Sequence, residues 1–253
     1  MADLFEAFVE SLGLPEATRL NRRLFKKQFY ELAKLNKAAK EQFAKAVENI
    51  VWTHTLKKGT INIPPLVTEK LEYIEVAYIH VEMTERTHFK KVAEVIHRIP
   101  YPVVLMMTEG DALCLSTAPK RINQSDTSRL TVEEYLYSEW IDLASQTTVQ
   151  RAFLESLQLH RLSFENFHTF YQDICEQIVA LAVSRWSGKY SSDNISKKKK
   201  ILDKIQPLQE QIASLKHAIK KESQFNTKVR LNMQLKTLEK QIQELSNMAK
   251  GSR

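Results

Sequence analysis

Three glutamates could supply the carboxylates of a metal-dependent nuclease. Glu75 and Glu82 fall in one run of alternating apolar residues, and Glu48 precedes that run. In restriction-enzyme-like nucleases such carboxylates hold Mg²⁺ or Mn²⁺, and a lysine two residues after the second one helps to activate water. Thr84 stands where that lysine is required, and Glu75 and Glu82, seven residues apart on a strand, face opposite sides. The nuclease is therefore the alternative interpretation, and only under it do we expect a cofactor.

Lysines and arginines form three clusters that could contact phosphates. The clusters are Arg19, Arg22, Arg23, Lys26 and Lys27; Lys120 and Arg121; and Lys197, Lys198, Lys199 and Lys200. Phosphate contacts need only cations at spacings that follow a nucleic-acid backbone. The clusters predict a nucleic-acid partner, with DNA expected. Plain solvation, or ion pairing of Lys120 and Arg121 with Glu133 and Glu134, is the open alternative.

Other catalytic chemistry finds no support among the remaining residues. His80 and Glu82 would share one face of a strand, but no third ligand accompanies them, so we predict no metal site. Cys114 and Cys175 lie in apolar surroundings and are expected to be buried free thiols. The sequence contains no glycine-rich phosphate loop, no Gly-x-Ser-x-Gly and no Cys-x-x-Cys, which leaves nucleotide hydrolysis, serine hydrolysis and structural zinc unsupported.

The elements that must position these groups predict a small α/β core over residues 59–130. Residues 72–83 alternate as in a strand, residues 89–99 have helical period, and residues 102–107 form an apolar run typical of a strand buried on both faces. A turn at residues 109–111 leads to another strand, and a short strand at residues 60–63 is expected to pair with the long one. Together these elements predict a mixed sheet.

Helices are predicted on both sides of this core. Residues 1–58 are expected to be a basic helical segment, with helices from Thr18 to Leu35 and from Lys37 to Trp52. Residues 131–187 are expected to be helical and packed on the core. In that segment, Thr131 and Glu134 have the spacing of a capping box that would start a helix, and further helices are expected at 149–159 and 163–186.

Isoleucine and leucine recur at heptad spacing in two arms within residues 195–250. The interruption at residues 221–226 favours an antiparallel helical hairpin over one long helix with a phase slip. Pro207 predicts a kink or a restart in the first arm. Each arm is too narrow to be stable alone, so we expect it to pack on the other arm or on a second copy of the chain.

The net charge of +7 is unevenly distributed along the sequence. From residue 19 to residue 58, eleven Lys and Arg stand against three Asp and Glu, and from residue 197 to the end fourteen stand against five, so the remainder is acidic. Such asymmetry indicates an anionic partner. No apolar run approaches the roughly 18–20 residues of a membrane span, and the acidic start does not resemble a secretory signal. We expect a cytoplasmic protein without a membrane partner.

Several short strings occur in order along nearly the whole chain. They are Leu14–Pro15, Asn21–Arg23 with Lys26–Lys27, Trp52 followed by Thr60–Pro64, Ile99–Pro102, Lys120–Asn123, Lys221–Asn226 and Val229–Asn232. With these strings the chain resembles the bacterial family catalogued as DUF 4391, a domain of unknown function. The resemblance implies a cytoplasmic protein often encoded beside helicases and DNA methyltransferases in defence-like loci. It implies no activity that could be assigned to individual residues.

The expected function is a non-catalytic accessory or adaptor subunit of a bacterial DNA-targeting anti-phage defence or restriction-like system. Nucleic acid would meet the basic helices. The C-terminal coiled coil would bind a helicase subunit, a methyltransferase subunit or a second copy. A purely protein-binding module, whose charge serves solubility, is a further alternative beside the nuclease.

Overall fold

A computed structural model describes residues 4–126 and 129–251 of the chain. These residues divide into two units, one up to Ile178 and one from Val179 onward. The fold is mixed α/β, as predicted, with a mixed sheet in the first unit and a helical hairpin in the second. No described helix is both long enough and apolar enough to cross a membrane.

The first unit contains short helices and all the described strands, seven of which form one large sheet. Its helices are α1 Leu4–Ser11, α2 Lys26–Leu32, α3 Lys37–Ala46, α4 Phe89–Ile96 and α5 Thr148–Ser156, and α6 Phe167–Ser187 begins in it. Its strands are β1 Arg19–Arg23, β2 Val47–Lys57, β3 Leu66–Val67, β4 Glu72–Tyr73, β5 Glu75–Met83, β6 Val103–Glu109, β7 Ala112–Thr117, β8 Lys120–Ile122, β9 Leu130–Val132, β10 Leu136–Tyr137 and β11 Ile141–Asp142. The strand-helix-strand-strand succession predicted for residues 72–117 is confirmed by β5, α4, β6 and β7.

The large sheet has the strand order β1-β2-β5-β6-β7-β10, and β11 also pairs with β7. Among the described strands, only β5 and β6 pair in parallel, because α4 carries the chain across the sheet between them. β3 with β4 and β8 with β9 form two small separate ladders. Nearly every residue of β6 and β7 is buried, which agrees with the unbroken apolar run in the sequence.

Both faces of the sheet are covered. On one face, α3 and α4 pack Phe43, Val92 and Ile96 against Ile79 and Leu105, all of which are almost fully buried. On the other face, apolar side chains of α1 and α6 meet β5, β6 and β7; they include Phe8, Leu12, Tyr78, Val104, Met106, Leu115 and Ile174. The Tyr171 hydroxyl of α6 donates to the Val103 carbonyl at 2.9 Å and accepts the Ala118 N–H at 2.8 Å.

The prediction of a purely helical segment over residues 1–58 is wrong. Residues 19–23 form β1, and the helix that starts at Lys37 ends at Ala46, where β2 begins. Val47, Ile50, Val51, Thr53 and Thr55 are β-branched, and such side chains pack well on a pleated surface. Residues 47–57 therefore form a strand that pairs with β5 along its length, although the apolar residues up to Trp52 also have helical spacing.

Two shorter predictions are also wrong. Residues 60–63 form a turn and not a strand, because the Thr60 hydroxyl bonds the backbone of Lys57 and Thr55. Thr131 does not cap a helix, because it lies in β9 and pairs with Arg121 of β8. Hydrogen bonding between the two short strands replaces the predicted capping box.

The second unit contains the predicted antiparallel hairpin, formed by α7 Ile195–Lys221 and α8 Phe225–Gly251. α7 continues through Pro207 as one helix, so the predicted restart does not occur. Ile205 is fully buried, whereas seam residues nearer the turn, such as Ile212 and Leu235, are only half-buried. Lys216 and Glu239 form an ion pair between the arms at 3.5 Å.

Candidate nucleic-acid interface

β1 presents a row of exposed side chains at one edge of the large sheet. All five of its residues are exposed, and it pairs with β2 along one side only. Asn21 has a positive φ of 45°, and the pairing register shifts between Arg19 and Arg22. Arg22 then pairs with Trp52 and Arg23 with Val51, so the two guanidinium groups point to opposite faces of the sheet.

The cations of this edge differ in how they are held. Arg19 lies 3.6 Å from the carboxylate of Glu16, with both side chains exposed. Lys26 donates to the Ala44 carbonyl at 2.9 Å near the end of α3, which stabilises that helix terminus. Within the described parts of the chain, Arg22 and Arg23 make no side-chain hydrogen bond or ion pair.

Two large apolar side chains accompany these cations. Phe25 is 65% exposed, and Leu20 is 46% exposed. An exposed aromatic ring beside arginines suits unpaired bases, which stack on such rings. The edge residues Arg19, Leu20, Asn21, Arg22, Arg23 and Phe25, together with Lys27, are called the basic edge below.

Lys120 does not belong to a surface site. Its side chain is 2% exposed, and its Nζ donates to the carbonyls of Ile99 and Tyr101 at 2.5 Å. Burial lowers the pKa of Lys120 to about 7. Lys120 lies in strand β8 and binds the loop that follows α4, so its burial contradicts the phosphate contact expected of it. Arg121 remains half-exposed, with Nε 3.7 Å from Glu133, which is the ion pair that the sequence left open.

The lysine run at residues 197–200 lies in the first turns of α7. Lys198 is buried and donates to the carbonyl and the hydroxyl of Ser191 at 2.9 and 3.2 Å. Lys197 and Lys200 are exposed. Cations at a helix N-terminus oppose the helix dipole, so an anion bound there would relieve an unfavourable interaction.

The three glutamates of the nuclease interpretation do not converge. Glu82 pairs with Asn49 at one end of the β2–β5 ladder, where the register shift leaves Glu48 nearby, whereas Glu75 pairs with Lys57 at the other end. Seven residues of strand separate Glu75 from Glu82 by roughly 23 Å. Burial raises the pKa of Glu75, and Lys57 opposes that effect. Among the described residues, no three His, Cys, Asp or Glu side chains are arranged to hold a metal ion.

Polar contacts at the C-terminal ends of β5 and β6 are not predicted by the sequence. His80 Nε2 lies 2.7 Å from the Thr108 hydroxyl, and the Phe5 ring stacks on His80 at 3.8 Å between centroids. Arg86 pairs with Glu109 and lies 5.0 Å from the ring of Trp140. These partners are far apart along the chain, so no local pattern identifies them.

Two further titratable groups belong to the core. His97 is fully buried beside the Ser116 hydroxyl at 3.0 Å, and burial, with Lys120 as a smaller cause, lowers its pKa. Cys114 and Cys175 are buried thiols that take no part in a disulfide, as predicted. Burial raises the pKa of Cys114 to about 12, so its thiol stays protonated and unreactive.

Comparison with known proteins identifies a family. The family model described as "Domain of unknown function (DUF4391)" matches residues 12–242, in agreement with the resemblance seen in the short strings. Comparisons with curated proteins and with solved structures find no significant match.

Proposed function

We propose that this chain, which belongs to the DUF4391 family, is a non-catalytic accessory subunit of a bacterial DNA-targeting defence or restriction-like system. In this proposal the basic edge contacts nucleic acid, and the helical hairpin binds a companion helicase or methyltransferase subunit. The defence setting rests on the gene neighbours that the family resemblance implies. The molecular role rests on the surface chemistry of the two units.

The observation that carries the nucleic-acid contact is the exposure of the basic edge. Arg22 and Arg23 are exposed on opposite faces of β1, and an arginine fork binds phosphate oxygens in a bidentate manner. Cations on an edge strand also discourage pairing with other strands. That role alone does not account for Phe25, whose exposed ring is suited to stacking on a base.

The observation that carries partner docking is an apolar stripe near the turn of the hairpin. Phe225, Val229 and Met233 are 78%, 43% and 67% exposed. Their spacing of four residues places them on one face of α8. Exposed apolar stripes of this kind mark surfaces that another helix covers.

Nucleic-acid binding can be measured by fluorescence anisotropy with labelled duplex DNA, single-stranded DNA and duplex RNA over a range of salt concentrations. Each phosphate contact contributes a slope of about −0.9 to the plot of log K against log salt. Replacing Arg22 and Arg23 by glutamate should lower the magnitude of that slope by about two and weaken binding at least about tenfold.

The matched control replaces Arg151 and Arg161 by glutamate, which makes the same change in net charge at exposed positions outside β1 and β2. Binding that is absent at low salt would refute the nucleic-acid role. An equal loss of affinity in both double variants would show that overall charge, and not the basic edge, is responsible.

Docking can be tested by co-purification with the helicase or methyltransferase encoded beside the chain. Replacing Phe225, Val229 and Met233 by serine should abolish co-purification. Serine at three exposed polar positions of α8, namely Asn226, Lys236 and Lys240, should not. Sedimentation equilibrium of both variants, without the partner, distinguishes docking of a partner from pairing with a second copy. If the stripe pairs two copies of the chain, the measured mass of the chain alone will change in the serine variant of the stripe.

The alternative function is a divergent metal-dependent nuclease. The observation that favours it is the position of Glu48 and Glu82 at the same end of the β2–β5 ladder, directly before the crossover through α4. Incubation with plasmid and Mg²⁺ or Mn²⁺ tests it. Cleavage that is lost in Glu82→Ala and retained in Glu75→Ala would replace the accessory role by the enzyme.

A further inference from the structure

A groove runs between the helices that cover one face of the sheet. It has a volume of about 270 Å³ and lies between α4 on one side and α3 with the segment that precedes it on the other. Phe43 and Val92, which are buried, form its floor with the partly exposed Leu35, Ala39 and Val95. This size suits a few anchoring side chains of a peptide and falls below the usual range for a small-molecule site.

The rim of the groove is polar and mainly cationic. Lys91 and Arg98 line it together with His88, against the single carboxylate of Glu94. Lys91 Nζ lies 3.5 Å from the Gln42 side-chain oxygen, so these two exposed ends approach each other across the groove. The residues from 37 to 46 and from 89 to 98 together carry six Lys and Arg against two Glu. A ligand that complements this surface has an apolar side and carboxylates beside it.

From this complementarity we propose that the groove binds an acidic amphipathic helix of a partner protein. Leucine-like side chains of that helix enter the groove, and its carboxylates meet Lys91 and Arg98. A nucleic-acid backbone offers phosphates but no apolar anchors for Leu35, Val92 and Val95, so the floor distinguishes the two kinds of ligand. The proposal is independent of the basic edge and of the hairpin.

The test uses the full chain and a fluorescein-labelled synthetic helix that has leucines on one face and glutamates on the other. We expect saturable binding that weakens at least about tenfold when Lys91 and Arg98 are both replaced by glutamate. Ala39→Trp, which fills the groove with an indole, should weaken binding by a similar factor without changing any charge. The double variant Arg151→Glu and Arg161→Glu, at exposed positions outside the groove, is the charge-matched control and should bind as the wild type does.

Two further probes distinguish the occupants. A peptide with lysines in place of the glutamates, and a peptide with serines in place of the leucines, should both fail to bind. The proposal is overturned if either of these peptides binds as well as the acidic helix, or if no peptide binds. It is also overturned if the groove variants lose affinity for duplex DNA and keep their affinity for the acidic peptide. Circular dichroism of Ala39→Trp verifies folding, and the two rim substitutions are at exposed positions and preserve the core.

Discussion

Lys120 should make the stability of the sheet-containing unit depend on pH between about pH 7 and pH 10.5. Its pKa is about 7 in the folded chain, against 10.5 for an ordinary lysine. The folded state therefore holds fewer protons than the unfolded state between these values, and unfolding takes up a proton. By linkage, the free energy of unfolding rises as the pH rises through this window. A neutral amine still has two N–H groups, enough for the carbonyls of Ile99 and Tyr101.

The size of the effect follows from the two pKa values. Between about pH 7 and about pH 8.5, the contribution of Lys120 to the free energy of unfolding should increase by roughly 1–2 kcal/mol. The window avoids other shifted groups. His54 and His97, whose pKa values are lowered, make the free energy of unfolding depend on pH below the ordinary histidine pKa of 6.5. Cys114 does so between pH 9 and about pH 12, where its raised pKa makes the free energy of unfolding fall as the pH rises.

The assay is urea unfolding followed by tryptophan fluorescence, to which Trp52 and Trp140 of the first unit contribute. Lys120→Met removes the titrating group, and its stability should be flat over the window relative to the wild type. Lys58→Met, at an exposed site, should follow the wild type. Parallel profiles of wild type and Lys120→Met would refute the reasoning, because they would mean that Lys120 stays charged when the chain is folded.

Three other expectations concern the core and the hairpin. Tyr171→Phe removes a hydroxyl that bonds Ala118 and Val103, and urea unfolding should show a loss of about 1–3 kcal/mol; an unchanged midpoint would contradict this. Ile205→Asp places an uncompensated charge at a fully buried position of α7, and circular dichroism should show a marked loss of helix, whereas a native spectrum would show that the position tolerates water. The Cys114 thiol should be inert to a thiol reagent at neutral pH until denaturant is added, and rapid reaction of the native chain would contradict its burial.

The buried elements were predictable because burial on both faces leaves a clear pattern. The apolar run Val103–Met107 is typical of a strand that is covered on both faces. The helical period of residues 89–96 indicated that the helix before this strand crosses over the sheet. The heptads within residues 201–245 likewise indicated two arms, because isoleucine or leucine recurs at alternating steps of four and three residues over several turns.

The edge of the sheet was not predictable in the same way. β1 buries none of its side chains, so its sequence shows no alternation of apolar and polar residues. In addition, Leu20 and Leu24 happen to have helical spacing. β2 was not predicted because α3 runs directly into it, with no Gly or Pro between them to mark the end of the helix. The β-branched residues from Val47 onward were a usable signal of a strand. The role of Lys120 had no local signal at all, since the carbonyls it binds lie about twenty residues earlier in the chain.

The crossover through α4 has a consequence for the order in which the chain folds. β5 and β6 are parallel, so their hydrogen bonds can close only after the intervening chain has turned back across the sheet. β1 and β10 must likewise find partners distant in sequence, whereas α7 and α8 are joined by three residues and pair from their turn outward. Folding rates fall as contacts become less local. The hairpin should therefore assemble in the earliest kinetic phase, and closure of the β5–β6 ladder should limit the slowest one.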